Sequence, residues 1–192
     1  DGNGLFWSLT RHKETCEITK NQKLFVSRYG TGMASSMESP ELAYEVAGMV
    51  NRDAPIHPRL RKILVKVFTP RRLQEIEGGV ADAARGVIGA ISERGACDFA
   101  ADVAGRLPTK VVCDMLGVPD GEIRDWLARM SIEAQGYGDE GVGDEGNTLK
   151  AFFDLNDYGE ELCRERRKSP GDDLLSMMIA SDADGEKLTD RD

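Results

Sequence analysis

The chain has 192 residues, of which 40% are hydrophobic and 31% charged, so it is long enough for one sizeable core and ordinary for a globular protein. Its net charge of −9 disfavours a nucleic-acid partner, because phosphate binding needs a basic surface. Aromatic residues are few, and leucine, valine, alanine and methionine recur at helical spacing, which predicts a mainly α fold. No run is long enough for a transmembrane helix and no signal peptide is visible, so we expect a cytoplasmic protein without membrane contact. The chain opens at Asp1 without a methionine, and we expect its native N-terminus to lie upstream.

The four cysteines are widely spaced, with no Cys-x-x-Cys pair and no histidine at metal-ligand spacing: Cys16, Cys97, Cys113 and Cys163. This pattern predicts reduced, mostly packed thiols and no metal site.

The first quarter of the chain begins with an alternating stretch, Leu5 to Thr10, that predicts a short strand. A helix follows from Arg11 to about Lys20. Residues 26–56 have poor periodicity and several Gly, Ser and Pro, which predicts a long loop with one short helix near Glu41 to Val46. Loops of this length inside a compact domain are typically functional or disordered.

The sequence predicts a helix with three faces that runs roughly from Pro58 to Phe68. Pro58 suits the first helical position, which leaves His57 as the cap, and Thr69-Pro70 ends the helix. The first face carries an imidazole, a guanidinium and two apolar groups: His57, Arg61, Leu64 and Phe68. The second face should be buried in the core and consists of Leu60, Ile63 and Val67. The third face should lie in solvent and consists of Arg59, Lys62 and Lys66.

Arg61 poses a physical question, because a guanidinium on a partly apolar face is costly to desolvate unless an anion meets it. Its planar fork fits a carboxylate or a phosphate. The plain alternative is a surface histidine and an arginine paired with a local aspartate. Residues 52–72 hold seven Arg or Lys against Asp53 alone, a local net charge of +6 in an acidic chain.

The rest of the chain predicts a series of helices, which lie in 70–95, 107–117, 120–168 (two helices), 172–182 and, as a first turn only, 188–192. Leu73, Ile76, Val80, Ala84, Val87 and Ile91 should form the core stripe of the first of these. Residues 97–100 are predicted to add a short strand. The glycine-rich, acidic stretch 136–146 has no lysine and follows no strand, so it predicts a mobile connection rather than a phosphate loop.

Four stretches resemble the soluble, bacterial-type cytochrome P-450 haem monooxygenases: W-S-L-T-R, then D-A-P-I-H-P-R-L-R-K with V-F-T-P-R-R, L-P-T-K-V-V-C-D-M-L-G-V-P, and P-G-D-D-L-L-S with D-G-E-K-L-T-D. The order and spacing of these motifs are more specific than any one of them. The resemblance implies that residues 1–192 form the N-terminal part of the P-450 fold, from helix B to helix H with a short β segment. Its implied parts are a strand and B helix (1–25), the B–C loop (26–56), the C helix (57–69), the D helix (70–95), the E helix (107–117), the F and G helices (120–168), the H helix (172–182) and the start of the I helix (188–192).

The resemblance also implies roles for particular residues. In the family pattern, the His and Arg that fall on His57 and Arg61 bind the haem propionates. By position, Met49 and Val50 would face substrate in the loop over the haem, although simple burial explains them equally well. The cations of the C helix and of the next helix start would border the surface that receives an acidic electron donor such as a ferredoxin, with a merely solvated face as the alternative: Arg59, Lys62, Lys66, Arg71 and Arg72.

The implied function is hydroxylation of a small apolar organic substrate with O2 and electrons from a redox partner. The haem iron would take its axial thiolate from a cysteine outside this chain, so we expect no catalytic residue within it and no activity from the chain alone. Two other classes remain open. One is a truncated, non-catalytic helical interaction protein, and the other is a nucleic-acid binder that uses residues 59–72, which the acidic remainder disfavours.

Overall fold

Most of the described chain is helical, as its apolar periodicity predicts. The computed structural model describes residues 7–30, 48–135, 145–183 and 185–189. Within them lie seven α-helices: α1 (His12–Lys20), α2 (Ile56–Val67), α3 (Pro70–Ser92), α4 (Arg106–Met115), α5 (Glu122–Gln135), α6 (Glu145–Lys168) and α7 (Leu174–Ala180). A 3₁₀ helix spans Gly48–Asn51 and a π-helical turn spans Ala100–Ala104. The predicted mainly α fold is confirmed.

Strands are scarce in the described residues, and they lie elsewhere than predicted. The described residues contain one strand pair, a small hairpin in which β1 (Asp182–Ala183) runs antiparallel to β2 (Glu186–Lys187). Residues 7–10 of the expected first strand, and residues 97–99 of the second, are irregular or helical, so both strand predictions are wrong there. A strand needs a pairing partner, which a local pattern does not specify. Leu5 and Phe6, and the short helix predicted near 41–46, lie outside the described residues.

The chain divides into two units, residues 1–59 and residues 60–192. In the first unit, α1 is exposed over most of its length, and the 3₁₀ helix places Asn51 in a buried position. In the second unit α5 packs along α6, α3 packs on α4, and α7 packs on α6.

The core of the second unit lies where α4 ends and α6 passes it. Cys113, Val118 and Leu162 are each no more than 5% exposed and pack together. Tyr158 packs against this cluster and meets the ring of Trp126 edge to face, with 5.9 Å between ring centroids. These contacts hold the end of helix α4 against the long helix α6.

Helix α3 departs from the predicted core stripe. Ala83 is its one fully buried residue, whereas Leu73, the first residue of that stripe, is 50% exposed and the others are half-buried. An open groove of about 510 Å³ lies between α3, α4 and α5 and is lined by Val87 and Ile91. These two residues of the stripe therefore line an open groove instead of a closed core.

Candidate functional site

Helix α2 is held by the apolar face that its sequence predicts. Leu60, Ile63 and Val67 are 4%, 0% and 2% exposed, which confirms them as core residues. Each side chain lies three or four residues from the next, so burying this stripe fixes the rotation of the helix about its axis. Arg61, Lys62 and Lys66 then lie on the exposed side.

Arg61 is exposed, and its guanidinium makes no hydrogen bond or ion pair to any residue that the structure describes. The alternative of a local aspartate partner therefore finds no support in that part of the chain. Arginines elsewhere in the second unit show what pairing looks like, since Arg166 is 18% exposed and holds Asp173 at 2.8 Å. An exposed, pre-positioned guanidinium is a binding group for a carboxylate or phosphate.

His57 belongs to the first unit and is half-buried. The expectation that Pro58 forces it out of the helix is wrong. His57 is the second residue of α2, and its backbone N–H donates to the carbonyl oxygen of Asp53 at 3.0 Å. The reason is that the nitrogens of a first helical turn have few intrahelical partners, so proline fits at the third residue as well as at the first.

The two predicted substrate residues lie on the 3₁₀ helix of the first unit. Met49 is half-buried and Val50 is 60% exposed. Gly48 precedes them with φ +52°, a backbone conformation that favours glycine. The role of both residues in a substrate pocket stays a prediction.

The five cations of the predicted donor surface differ in their surroundings. Arg59, in the first unit, is half-buried, while Lys62 and Lys66 are exposed. The Lys66 ammonium donates to the Asp182 carbonyl oxygen at 2.7 Å. Arg71 is exposed and bonds Glu75 on its own helix at 3.2 Å.

Arg72 is the exception among these cations, because its side chain is only 18% exposed. It bonds the Glu75 carboxylate at 2.7 Å and the Asp172 carbonyl oxygen at 3.0 Å. The hydrogen bonds from Arg72 and then Arg71 lower the pKa of Glu75. Arg72 thus ties the start of α3 to the segment before α7, and its charge is largely compensated there.

The cysteines are free thiols, and one assignment needs correction. His12 lies four residues before Cys16, and its Nε2 is 3.5 Å from the Cys16 sulfur, so the statement that no histidine stands near a cysteine at metal-ligand spacing is wrong. The i, i+4 spacing on a helix was the signal that could have shown this. Two groups do not make a metal site, and the described residues hold no cluster of three or more His, Cys, Asp or Glu around one point.

Cys113 is 3% exposed, and burial raises the pKa of its thiol, with a smaller opposing effect from Arg124. The thiolate, not the thiol, is the nucleophile and the metal ligand, so a raised pKa disfavours both roles for Cys113. This agrees with a packing role in the core of the second unit.

The groove between α3, α4 and α5 carries charged groups that the sequence did not single out. Its cations are mostly paired, since Arg94 meets Asp102 at 2.8 Å and Arg124 meets Asp120 at 3.1 Å. The hydrogen bond from Arg94 lowers the pKa of Asp102. Ion pairs of this kind hold the helices together, and they leave little positive electrostatic potential to attract an anion.

The helical arrangement of this chain is similar to that of solved cytochromes P450. No protein-family model matches the chain. In fold, it superposes on a Mycobacterium marinum cytochrome P450 in complex with pseudoionone, with a TM-score of 0.80 and 27% identity over 97% of this chain and 45% of that one.

Curated relatives give the same result in sequence. A steroid C26-monooxygenase of Mycolicibacterium smegmatis is 31% identical over 192 residues, which are 98% of this chain and 44% of the relative. A methyl-branched lipid omega-hydroxylase of Mycobacterium tuberculosis is 29% identical over 195 residues, 100% of this chain and 45% of the relative. The chain belongs to the cytochrome P450 family, and it spans about half the length of the curated relatives it matches. Separately, none of the helices in the described residues is both long and apolar enough to cross a membrane.

Proposed function

We propose that this chain is the N-terminal part of a haem-dependent monooxygenase that hydroxylates an apolar organic substrate with O2 and electrons from a redox partner. The observation that supports this most is likeness to cytochromes P450 in both sequence and fold over almost the whole chain. When bound, haem with an axial cysteine thiolate supplies the activation of O2. The thiolate would come from a residue outside residues 1–192.

Arg61 is the residue of this chain whose surroundings best fit haem. Its guanidinium is exposed and unpaired within the described residues, and three buried aliphatic side chains fix the helix that carries it. A porphyrin propionate is a carboxylate, which a guanidinium binds through two parallel hydrogen bonds. The local net charge of +6 in residues 52–72 favours such an anion. We assign Arg61 to one propionate, and His57, through the resemblance, to the same pair of carboxylates.

Met49 and Val50 are proposed to contribute the chain's contacts with substrate. Both are apolar, and Val50 presents more than half of its surface. Two relatives are named for a steroid and for a methyl-branched lipid, which supports a substrate that is largely hydrocarbon. Apolar pockets bind such molecules mainly through buried area.

The electron donor is proposed to be an acidic protein of the ferredoxin kind that meets Arg59, Lys62, Lys66, Arg71 and Arg72. A positive patch on an otherwise acidic protein steers such a partner toward it. Lys62, Lys66 and Arg71 are the exposed members and would contribute most, whereas Arg72 is engaged with Glu75 and Asp172.

The test uses the complete protein and, beside it, the 192-residue chain alone. We expect the complete protein to bind haem, to give the thiolate-type spectrum with carbon monoxide after reduction, and to hydroxylate an apolar substrate only when a ferredoxin and its reductase are present. The chain alone should be helical by circular dichroism, self-associating, and unable to give that spectrum. A complete protein that takes up no haem would refute the proposal and favour the non-catalytic helical interaction protein.

A further inference from the structure

Asp53 lies between the two elements to which the proposed function assigns ligands in the first unit. The 3₁₀ helix Gly48–Asn51, with Met49 and Val50, ends two residues before it. Helix α2, with His57, begins three residues after it. Its side chain is 18% exposed, although an isolated aspartate in a loop is normally solvated.

The carboxylate of Asp53 holds a distant piece of backbone. Its Oδ1 accepts the N–H of Ser27 at 2.9 Å, and its Oδ2 accepts the N–H of Arg28 at 3.3 Å. The guanidinium of Arg28 stands 3.9 Å from the same carboxylate. Two consecutive backbone N–H groups therefore point at one anion, an arrangement in which charge strengthens both hydrogen bonds.

Backbone hydrogen bonds connect Asp53 and its neighbour Arg52 to the two adjoining helices. The Asp53 carbonyl oxygen accepts the N–H of His57 at 3.0 Å, in the first turn of α2. The N–H of Arg52 donates to the Met49 carbonyl oxygen at 3.2 Å, which closes the turn on the other side. Hydrogen-bonded turns therefore flank Asp53 on both sides.

We propose that Asp53 is a positioning residue for ligand binding: by capturing the backbone N–H groups of Ser27 and Arg28, it fixes at once where Met49 and Val50 stand and where His57 enters its helix. The inference rests on the proposed function, since it concerns the residues assigned there to substrate and haem. The role proposed for Asp53 acts through the backbone and requires no contact between Asp53 and either ligand.

The experiment compares the complete haem-loaded protein with two variants. Asp53→Ala removes both acceptors, while Asp53→Asn has nearly the same shape but keeps one acceptor and turns an N–H donor toward the other backbone N–H. We expect the amide hydrogens of Ser27 and Arg28 to exchange at least about tenfold faster in Asp53→Ala, with Asp53→Asn in between, as the loss of a charge-assisted hydrogen bond requires.

Positioning is then measured with two haem-binding probes. Imidazole is small and reports on the haem itself, whereas 4-phenylimidazole needs an apolar wall beside it. We expect Asp53→Ala to weaken 4-phenylimidazole binding by about tenfold, the equivalent of one hydrogen bond to a charged group, while imidazole binding stays within about twofold. A general loss of structure in the variant would weaken the binding of both probes.

Arg28→Ala is the matched control, because it deletes the ion pair but leaves both backbone hydrogen bonds to Asp53. It should behave as wild type with both probes. If Arg28→Ala reproduces the effect of Asp53→Ala, or if both Asp53 variants bind 4-phenylimidazole like wild type, the positioning role is wrong while the proposed function stands. If wild type shows no haem spectrum and no response to imidazole, the proposed function fails and this role falls with it.

Discussion

Arg166→Ala is the substitution whose cost can be worked out most fully from the structure. The Arg166 guanidinium donates to the Asp173 carboxylate at 2.8 Å and to the Gly117 carbonyl oxygen at 2.6 Å. Its side chain is 18% exposed and that of Asp173 is 8% exposed. The same carboxylate caps helix α7 by accepting the N–H of Ser176 at 2.7 Å. One ion pair thus joins the end of α4, the last turns of α6 and the start of α7.

Removing the arginine leaves a buried carboxylate with one donor and a carbonyl oxygen without its partner. Breaking a buried pair from one side costs about 3 to 5 kcal/mol, and the Ser176 bond that remains places this case near the lower value, at about 3 kcal/mol. Gly117 shows how closely the pair is packed. Its φ is +68°, and a Cβ added there would lie 2.8 Å from the Asp173 carboxylate oxygen.

The assay is urea unfolding of the complete protein, with the midpoint read at an unchanged slope. Arg164→Ala is the matched control, two residues earlier on α6, where the side chain is 46% exposed and pairs with Glu160 and Glu161 of its own helix. Exposed pairs of this kind contribute little, so the control should lose less than about 1 kcal/mol. Equal losses for Arg164→Ala and Arg166→Ala would refute the reasoning that burial makes this pair costly to break.

Three further predictions follow from burial and charge in the second unit. Ile63→Ala should destabilise by about 3 kcal/mol in urea unfolding, because Ile63 is 0% exposed, while Val65→Ala at 67% exposure should change almost nothing; equal effects would contradict the orientation of α2. Reversing the charges of Lys62 and Lys66 to glutamate should slow reduction by a ferredoxin and flatten its dependence on ionic strength, and unchanged stopped-flow rates across salt concentrations would count against the donor surface. Burial raises the pKa of the Cys113 thiol, so this thiol ionises in the unfolded chain first as the pH rises. Wild type should therefore lose stability relative to Cys113→Ala above about pH 9. Parallel pH profiles of the two unfolding free energies would contradict this prediction.

Local periodicity and stop signals predicted the helices well, because both act over a few residues. Helix α6 ends at Lys168, directly before the Ser169-Pro170-Gly171 break that predicts its end. Helix α5 begins at Glu122, two residues after the start of the predicted segment 120–168. The hairpin at Asp182–Lys187 was missed for the same physical reason that the two predicted strands failed, since two residues on each strand carry too little pattern to show a pairing.

The candidate site was predictable only in part. The spacing of Leu60, Ile63 and Val67 predicts which side of α2 is buried, and the exposure of Arg61 follows from it. Partners far apart in sequence leave no such signal. Asp53 binds backbone 25 and 26 residues earlier, and Arg72 binds Asp172, 100 residues later, so neither contact could be read from spacing.

The central claim is that Arg61 anchors haem, and the rate of haem release from the complete protein tests it most directly. The variants are Arg61→Ala and the control Arg85→Ala, which removes an arginine that is 75% exposed and pairs with Asp82 on its own helix. Loss of one bidentate, charge-assisted contact of about 1.5 to 3 kcal/mol predicts haem release at least about tenfold faster from Arg61→Ala, with Arg85→Ala unchanged. Haem release and haem content equal to wild type in Arg61→Ala would contradict the claim.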